Sequence, residues 1–242
     1  MKKILLFTLL AVAMNSCSSD DSGNQPTQGG TLLASTIQTA GSDSYTTNYS
    51  YNGNKIASSV NVGGDTTLYT YSGNAITGIE VQNSAGSTSY EFDFTYSNGR
   101  LAEAKRTQTG TGIVMRQTFS YPNATSITGQ TFLGNATSQT QLLYDQVYTI
   151  GQDGEVSTVA NTANGTTTIY SYTYDAKNNP FKNVVGWSDL LLLQGVNHNI
   201  LTSVSPSGSE EIVYQYNQDD YPSVSTRTST GSTPIVTTYT YQ

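Results

Sequence analysis

The sequence predicts an all-β protein, with consecutive antiparallel β-hairpin repeats in one long, twisted sheet that curls into an open barrel or partial shell. A short phrase recurs along the chain: an aromatic residue, any residue, tyrosine, a polar turn and an aliphatic residue. Turns rich in Gly, Asn and Ser separate the strands at intervals of roughly 8–12 residues, which is typical of an antiparallel meander. Thr, Val, Ile and Tyr fill the intervals, and these residue types favour strands.

The repeated phrase indicates hairpin units that bury their apolar faces only by stacking on neighbouring units. Residues two apart in a strand share a face, so both aromatic residues of a pair point the same way. A β-propeller is the alternative, but units of about 25 residues supply two strands and not the four of a propeller blade. The copies are Tyr49-x-Tyr51 with Ile56, Tyr69-x-Tyr71 with Ile76, Phe94-x-Tyr96 with Leu101, Phe119-x-Tyr121 with Ile127, Tyr148-x-Ile150 with Val156, Tyr172-x-Tyr174 with Phe181, Tyr214-x-Tyr216 with Val224, and Tyr239-x-Tyr241.

The turn residues predict the register of the first hairpins. Asn-Gly is the dipeptide that best tolerates a two-residue type I′ turn, so Asn52-Gly53 would place Tyr49 opposite Ile56. Ser72-Gly73 predicts the equivalent pairing in the second copy. The third copy has one more turn residue, Ser97-Asn98-Gly99, and we expect its loop or register to differ by one residue.

The phrase resembles the YD repeat of Rhs-type proteins, whose unit runs Tyr-Asp, two residues, Gly, Arg-Leu. Residues 96–101, Tyr-Ser-Asn-Gly-Arg-Leu, match that unit best at the turn, and Tyr174-Asp175 keeps the dipeptide itself. The resemblance implies β-hairpin units. The self-cleaving core and variable toxin end of Rhs-type proteins have no visible counterpart here, so toxin delivery is not expected.

Nearly the whole mature chain is also similar to uncharacterised repeat lipoproteins of Bacteroidetes. The similarity is carried by residues 174–182, Tyr-Asp-Ala-Lys-Asn-Asn-Pro-Phe-Lys, where the repeat is interrupted. An apolar stretch at 190–193, an Asn-rich turn at 197–199 and the late Tyr221-Pro222 follow. The resemblance implies the same repeat fold and transfers no activity.

Residues 1–16 have the features of a lipoprotein signal peptide. Two lysines precede an apolar run from Ile4 to Met14, which is shorter than the roughly 20 residues needed to span a bilayer. The run ends in Asn15-Ser16-Cys17, which resembles a lipobox, where a small residue precedes the lipidated cysteine. We therefore expect Cys17, the only cysteine, to carry the lipid anchor. The alternative is an ordinary cleaved signal peptide with an incidental thiol.

Residues 17–30 are predicted to be the lipidated cysteine and a flexible tether, because they consist mostly of Ser, Asp, Gly, Asn, Gln and Thr. Asp20-Asp21 shortly after the cysteine resembles the surface-export signal of Bacteroidetes lipoproteins, and a solvated acidic linker is the alternative. The expected location is the outer membrane, with the protein attached by lipid and exposed on the cell surface.

Residues 31–242 are predicted to form a single β-repeat domain. Without residues 1–16, eight Lys and Arg remain against 17 Asp and Glu, a net charge of −9. Such a chain lacks the basic surface that nucleic-acid binding requires. It is also repelled by anionic lipid head groups, so we expect the lipid anchor to hold it at the membrane.

An insertion is predicted near residues 176–209. Tyr174 and Tyr216 are 42 positions apart, whereas other copies are about 20–27 apart. Ser188 or Asp189 would cap a short helix over residues 190–194, stopped by Gly195. The insertion is interpreted either as a lid or pocket wall, or as a plug whose leucines cover the open sheet; the plug is the favoured interpretation.

The sequence predicts no catalytic residue, metal site or cofactor. His198 is the only histidine, which excludes sites of several imidazoles, and no Gly-x-Ser-x-Gly motif occurs. A carboxylate-dependent polysaccharide hydrolase remains the alternative function, with Glu91 and Asp93 on one strand face as candidates. The favoured function is a non-enzymatic lipoprotein that binds a glycan or protein ligand, or that serves in envelope assembly.

The candidate ligand-binding residues are aromatic residues outside the repeat register. Repeated tyrosines are expected to form the core, with their hydroxyl groups at its rim. An aromatic residue that the repeat does not require is free to stack on a sugar ring. These candidates are Trp187 in the insertion and Tyr90, Tyr144, Tyr170 and Tyr221.

Overall fold

The computed structural model describes residues 30–193 and 197–242. These residues form sixteen β-strands and a short 3-10 helix. No helix among them is long and apolar enough to cross a membrane. The elements are β1 Leu33–Ala40, β2 Asp43–Asn52, β3 Lys55–Asn61, β4 Thr66–Ser72, β5 Ala75–Gln82, β6 Thr88–Ser97, β7 Arg100–Gln108, β8 Ile113–Asn123, β9 Ser126–Gly134, β10 Gln139–Ile150, β11 Val156–Ala163, β12 Thr166–Tyr174, the 3-10 helix Ser188–Leu193, β13 Ile200–Ser205, β14 Gly208–Tyr216, β15 Pro222–Ser229 and β16 Ile235–Tyr241.

The strands close into a barrel, and the predicted all-β class of antiparallel hairpins is confirmed. Each strand pairs with the next in the chain, and β1 pairs with β16, for example Thr36 opposite Tyr239. The sheet is therefore closed, where the sequence predicted an open barrel or partial shell. Closure removes the unpaired strand edges on which other chains could add.

The predicted register of the first two hairpins is wrong. Tyr51, and not Tyr49, lies opposite Ile56, and Tyr49 lies opposite Ser59. The two-residue loop is consequently Gly53-Asn54, with Gly53 at a φ of +58°. Glycine at the first central position is the requirement of a type II′ turn, so the same glycine serves a turn one residue later than predicted.

The third hairpin pairs like the first, contrary to the expected difference in register. Tyr96 lies opposite Leu101, as Tyr51 lies opposite Ile56. Asn98 and Gly99 both have positive φ, +51° and +74°, as a type I′ turn requires. Both loops have two residues, so the two hairpins differ in turn type while the pairing of the unit is the same.

In at least five repeat units, the second tyrosine of the aromatic pair joins its hairpin to the preceding one. The Tyr96 hydroxyl donates to the Ile76 carbonyl at 2.8 Å, and Tyr121 donates to the Leu101 carbonyl at 2.7 Å. Each such bond contributes about 0.5–1.5 kcal/mol net, and the tyrosine that donates it is partly buried. The same bond, at 2.8 Å, joins Tyr51 to Leu33, Tyr174 to Val156 and Tyr241 to Pro222.

Aromatic residues face the lumen, and polar residues dominate the outer face. In β6, Phe92, Phe94 and Tyr96 are at least partly buried, whereas the alternating Asp93 and Thr95 are exposed. Two exposed valines on the outer face are separated by a threonine, because Val213 pairs with Thr226, which pairs with Val236. Exposed Val147 and Ile169 form a short apolar row with Ala160. A membrane-spanning barrel has the opposite pattern, with an apolar outer band flanked by aromatic girdles.

The segment between β12 and β13 closes the end of the barrel at which the tight turns lie. We call its described residues, 175–193 and 197–199, the plug. Val184, Trp187 and Leu190 pack into a core with wall residues such as Ile76 and Phe94. The 3-10 helix starts at Ser188, so it begins before the predicted helix of residues 190–194. Residues 194–196 lie outside the described residues, and 200–209, predicted as insertion, contribute to β13 and β14.

Candidate ligand-binding chamber

The inner wall differs between two sides of the barrel. The first aromatic residue of each pair faces a lumen residue on a neighbouring strand. On β13, β15, β1 and β3 that residue carries a hydroxyl, and we call this set the hydroxyl arc: Ser203 opposite Tyr172, Ser225 opposite Tyr214, Thr36 opposite Tyr239, and Ser59 opposite Tyr49. On β5, β7, β9 and β11 it is apolar or glycine, and we call this set the apolar arc: Ile79 opposite Tyr69, Ala104 opposite Phe94, Gly129 opposite Phe119, and Val159 opposite Tyr148.

The aromatic residues match the arc that they face. On the hydroxyl arc all four are tyrosines, and the Tyr239 hydroxyl lies 3.0 Å from the Ser225 Oγ. On the apolar arc two of the four are phenylalanines, Phe94 and Phe119. A buried hydroxyl without a partner costs about 1–3 kcal/mol, so phenylalanine suits positions with no hydroxyl opposite.

A cavity of about 230 Å³, which we call the chamber, lies between the hydroxyl arc and the plug. Its wall includes tyrosines that face this arc and polar side chains beside them. The plug contributes an aromatic ring and two asparagines. The wall residues are Tyr49, Tyr214, Tyr239, Leu33, Thr36, Thr237 and Gln38, and the plug residues are Asn179, Pro180, Phe181 and Asn199.

Aromatic packing fixes the roof of the chamber. The Phe181 ring stacks on Trp187, with centroids 4.5 Å apart, and meets the edge of Tyr49 at 5.5 Å. Trp187 itself is 7% exposed. The roof is therefore continuous with the hydrophobic core of the plug. Its backbone is also held, because Asn179 N–H donates to the Asn197 carbonyl at 3.0 Å.

Asp175 joins the beginning of the plug to its end. Its carboxylate accepts the Lys177 N–H at 2.9 Å and the Asn199 N–H at 3.1 Å. The Asn199 side chain and the Tyr216 hydroxyl also donate to it. The aspartate of the Tyr174-Asp175 dipeptide thus orients Asn199, which lines the chamber.

Glu155 holds the same end of the plug from the β10–β11 turn. Its fully buried carboxylate accepts the N–H groups of Asn197 at 2.7 Å and His198 at 2.8 Å. The His198 Nδ1 lies 3.5 Å from the same oxygen. The only histidine is therefore seated against this turn and does not line the chamber.

The chamber is lined by neutral groups. None of the described residues lining it is Asp, Glu, Lys or Arg. Burial raises the pKa of Tyr49 to about 12, with a side-chain hydrogen bond from Thr36 opposing it in part, and burial also raises the pKa of Tyr214 and Tyr239. These phenols are therefore protonated and able to donate at ordinary pH.

Two lining groups are available to a ligand. Within the described part of the chain, nothing hydrogen-bonds the Tyr214 hydroxyl, and the electrostatic influences on it come from neighbouring rings and charged side chains. Gln38 is exposed and stands on the side away from the plug. The arrangement offers aromatic faces and neutral hydrogen-bonding groups, a combination that suits a neutral polyhydroxylated ligand.

Three of the predicted binding residues face the lumen outside the chamber. Tyr90 lies opposite Gln108, Tyr144 lies opposite Thr131, and Tyr170 lies opposite Val159 of the apolar arc. Tyr144 is 39% exposed, and the other two are half-buried. These rings come from β6, β10 and β12, and they do not line the chamber.

The other predicted aromatic residues, Trp187 and Tyr221, are part of the packing of the plug. Tyr221 is 6% exposed, and its hydroxyl accepts a hydrogen bond from the Asn183 side chain at 2.7 Å. Its ring lies 5.4 Å from that of Tyr241. Neither Trp187 nor Tyr221 lines the chamber, although Trp187 supports it through Phe181. The predicted lipidation site, Cys17, lies outside the described residues.

The candidate carboxylates lie on the outer face. Glu91 and Asp93 are exposed, and Asp93 forms an ion pair with Lys105 at 3.2 Å. Glu91 lies opposite Glu80 in the sheet. These carboxylates face solvent and not a cleft. Residues 30–193 and 197–242 contain no group of three or more His, Cys, Asp or Glu able to hold a metal ion.

Sequence reasoning assigned the chamber tyrosines to the core because they belong to the repeat. Tyr49, Tyr214 and Tyr239 are first members of aromatic pairs, like the buried Phe94. The signal that distinguishes them is a serine or threonine where other units have an apolar residue or glycine. Which serine or threonine lies opposite each tyrosine follows only from the register of the strands and from the closure of the barrel.

Comparison with known proteins extends the description of the fold. No family model and no curated protein matches the sequence. Among solved structures, a porin-like protein from Bacteroides vulgatus is similar with a TM-score of 0.58 and 12% identity, over 88% of this chain and 99% of that one. A porin-like protein from Bacteroides uniformis has a TM-score of 0.46 and 11% identity, over 87% and 98%. The similarity to the first shows a common β-barrel fold.

Proposed function

We propose that this protein is a lipid-anchored, non-enzymatic binding protein of the outer membrane that holds a neutral sugar in the chamber. The observation that carries the proposal is the chamber itself, where tyrosine rings and neutral amide and hydroxyl groups meet around one space. Sugars present apolar ring faces and many hydroxyl groups, which such a lining complements. A cavity of about 230 Å³ is smaller than typical drug-binding pockets of roughly 300–1,000 Å³, so it suits a small unit.

Charge supports a neutral ligand over an acidic one. The mature chain carries a net charge of −9, and the chamber contains no basic group to pair with a carboxylate or sulfate. An acidic sugar would therefore lose its hydration without gaining an ion pair, and burying an unpaired charge is costly. We expect uronic acids and sulfated sugars to bind more weakly than their neutral counterparts.

The proposal attaches the protein through lipid on Cys17 and keeps the barrel outside the bilayer. The polar outer face supports this arrangement, because lipid would have to solvate threonines and charged side chains such as Asp93. It includes membership of the Bacteroidetes repeat lipoproteins that the sequence resembles, and exposure on the cell surface.

The tether sets the orientation in this proposal. In the sequence-based prediction, residues 18–30 form the tether between Cys17 and the barrel, and a flexible chain of about 13 residues would reach roughly 20 Å on average. The barrel starts at Leu32 and Leu33, which pair with Gln242 and Tyr241. These residues lie at the end of the barrel that the plug closes. The plug then faces the membrane, and the lumen opens away from it.

Sugar binding is testable with the single tryptophan as reporter. Trp187 stacks on Phe181 of the chamber roof, so ligand binding should change its fluorescence. The mature protein would be titrated with neutral monosaccharides and disaccharides, and with uronic acids for comparison. Tyr214→Phe should weaken binding about 5–10-fold through loss of one hydrogen bond, while Tyr90→Phe, remote from the chamber, should change it less than about twofold. Absence of saturable binding by every sugar would contradict the proposal.

The anchor is tested separately by cell fractionation. Wild-type protein should partition with membranes, and Cys17→Ser should be released, because each buried methylene of the lipid contributes about 0.8 kcal/mol. Persistence of the Cys17→Ser protein in washed membranes would refute the anchor. Digestion of intact cells with an impermeant protease, with a periplasmic control protein, distinguishes a surface from a periplasmic location.

A further inference from the structure

We propose that the chamber receives the terminal sugar of a neutral glycan chain and excludes internal stretches of such a chain. This inference rests on the sugar-binding function proposed above and adds the form of the substrate. It follows from two features of the chamber. The plug closes it on one side, and the opposite side opens into the lumen of the barrel.

The roof is closed because the plug is tied to the wall on several sides. The Val185 N–H donates to the Asn54 carbonyl at 2.9 Å, and the Tyr71 hydroxyl donates to the Val185 carbonyl at 3.1 Å. Asn54 also donates through its side chain to the Asn183 carbonyl at 3.2 Å. These bonds seat the plug in the β2–β3 turn, next to the core that Trp187 fills.

A second set of bonds holds the plug on the opposite flank of the chamber. The Asn183 side chain donates to the Thr31 carbonyl at 2.9 Å, at the start of the barrel. The Asn178 side chain donates to the Asp219 carbonyl at 2.8 Å, in the β14–β15 turn. Wall and plug are hydrogen-bonded on both flanks, so in this proposal a glycan chain enters the chamber from the lumen and does not thread through it.

The chamber opens toward the lumen on the side away from the plug. Gln38 is exposed there, and Tyr45 lies opposite it on β2, half-buried. With a rise of roughly 3.3 Å per residue, Tyr45 stands about 13 Å from Tyr49 along the strand. That distance is available to further sugars of a chain whose last unit lies in the chamber.

A chamber that is closed on one side distinguishes a terminal sugar from an internal one. A terminal sugar has a single linkage, which can point down the lumen while its remaining hydroxyls face the chamber. An internal or cyclic sugar has two linkages, and one of them would run into Phe181 and Pro180 of the roof. One protein therefore binds one chain end, whatever the length of the chain.

The test measures stoichiometry against chain length. The mature protein would be titrated with linear neutral gluco-, manno-, galacto- and xylo-oligosaccharides of two to about twenty units, by calorimetry and with Trp187 fluorescence. The molar ratio should stay constant as the chain lengthens. A bulky aminopyridine label at the end that enters the chamber should abolish binding, a label at the other end should leave it within about twofold, and cyclic oligosaccharides should not bind.

The outcomes separate the inference from the function on which it rests. End recognition would be overturned if the number of protein molecules bound per glycan chain rises with chain length, or if cyclic and linear chains bind equally. Sugar binding in the chamber would still stand in that case, provided that Tyr214→Phe weakens the binding. Absence of binding by every series, with monosaccharides also inactive, would overturn both.

Discussion

The two arcs of the barrel are built from the same hairpin unit, yet the plug meets them differently. Against the apolar side, Trp187 and Leu190 join a continuous core with Ile79. Against the hydroxyl arc, the plug leaves a chamber of about 230 Å³. The two sides differ at one position per unit, the residue opposite the first aromatic residue, and of the hydroxyl arc Thr36 lines the chamber. A repeat can therefore keep its architecture while the inner wall differs between two sides of the barrel.

The difference follows from the size and polarity of the residues that form the two arcs. Ser225 is smaller than Ile79 and presents a polar group to the lumen, so an apolar side chain of the plug gains little by packing on it. A polar space of this size holds water, whereas an apolar space is filled by side chains during folding. Asn179 and Asn199 of the plug accordingly face the hydroxyl arc, and the leucine and tryptophan face the other side.

The largest expected effect is on the apolar side. Trp187→Ala should lower the free energy of unfolding by about 3–5 kcal/mol, because it removes a large buried ring that supports both the core and Phe181. Urea unfolding followed by circular dichroism measures this change. Tyr144→Ala, at a partly exposed ring in the lumen, is the matched control and should cost clearly less. A loss below about 1.5 kcal/mol for Trp187→Ala would mean that the plug does not contribute to the core as described.

An exchange between the arcs should have the next largest effect. Ile79→Ser places a hydroxyl in the apolar arc, where Ile79 is 2% exposed, and should cost about 2–5 kcal/mol. Ser225→Val makes the reverse change, removes one of the partners of the Tyr239 hydroxyl, and should cost about 1–3 kcal/mol while weakening sugar binding. Equal effects of the two exchanges on stability, with sugar binding unchanged, would show that the arcs are not functionally distinct.

The tyrosine hydrogen bonds between hairpins should contribute less to the free energy of unfolding than the arc residues do. Their contribution should be similar on both sides of the barrel. Tyr96→Phe removes the hydroxyl that donates to Ile76 and should cost about 0.5–1.5 kcal/mol. Tyr241→Phe, beside the hydroxyl arc, should cost a similar amount through its bond to Pro222. Thr95→Ala on the exposed face is the control and should lie within about 0.5 kcal/mol of wild type. A negligible loss for both tyrosines would remove this bond as an explanation of the repeat.

Sequence reasoning predicted the class of fold because the repeat is local and regular, and a hairpin is defined by residues close in the chain. It misplaced the register of Tyr49 and Ile56 because Gly53 is acceptable at either central position of a two-residue turn. The chamber was not predicted, since it depends on which face Ser225 and Thr36 occupy. Thr36 becomes part of the arc through the pairing of β1 with β16, at opposite ends of the sequence, and no local pattern encodes that contact.

The smallest expected effect appears only at alkaline pH and concerns Tyr49, although burial also raises the pKa of Tyr69, which faces the apolar arc. The pKa of Tyr49 is raised to about 12, against about 10 in an unfolded chain, because burial disfavours the phenolate. The unfolded state therefore loses protons first, and the contribution of this tyrosine is complete below pH 10 and is lost as the pH rises through about 12. Tyr49→Phe removes that ionisation, so its free energy of unfolding should fall less steeply than that of wild type between pH 10 and 12 in urea titrations. Phe94→Leu, on the apolar arc, removes no titrating group and should keep the wild-type slope. Identical slopes for wild type and Tyr49→Phe would show that Tyr49 is no harder to ionise in the barrel than in the unfolded chain.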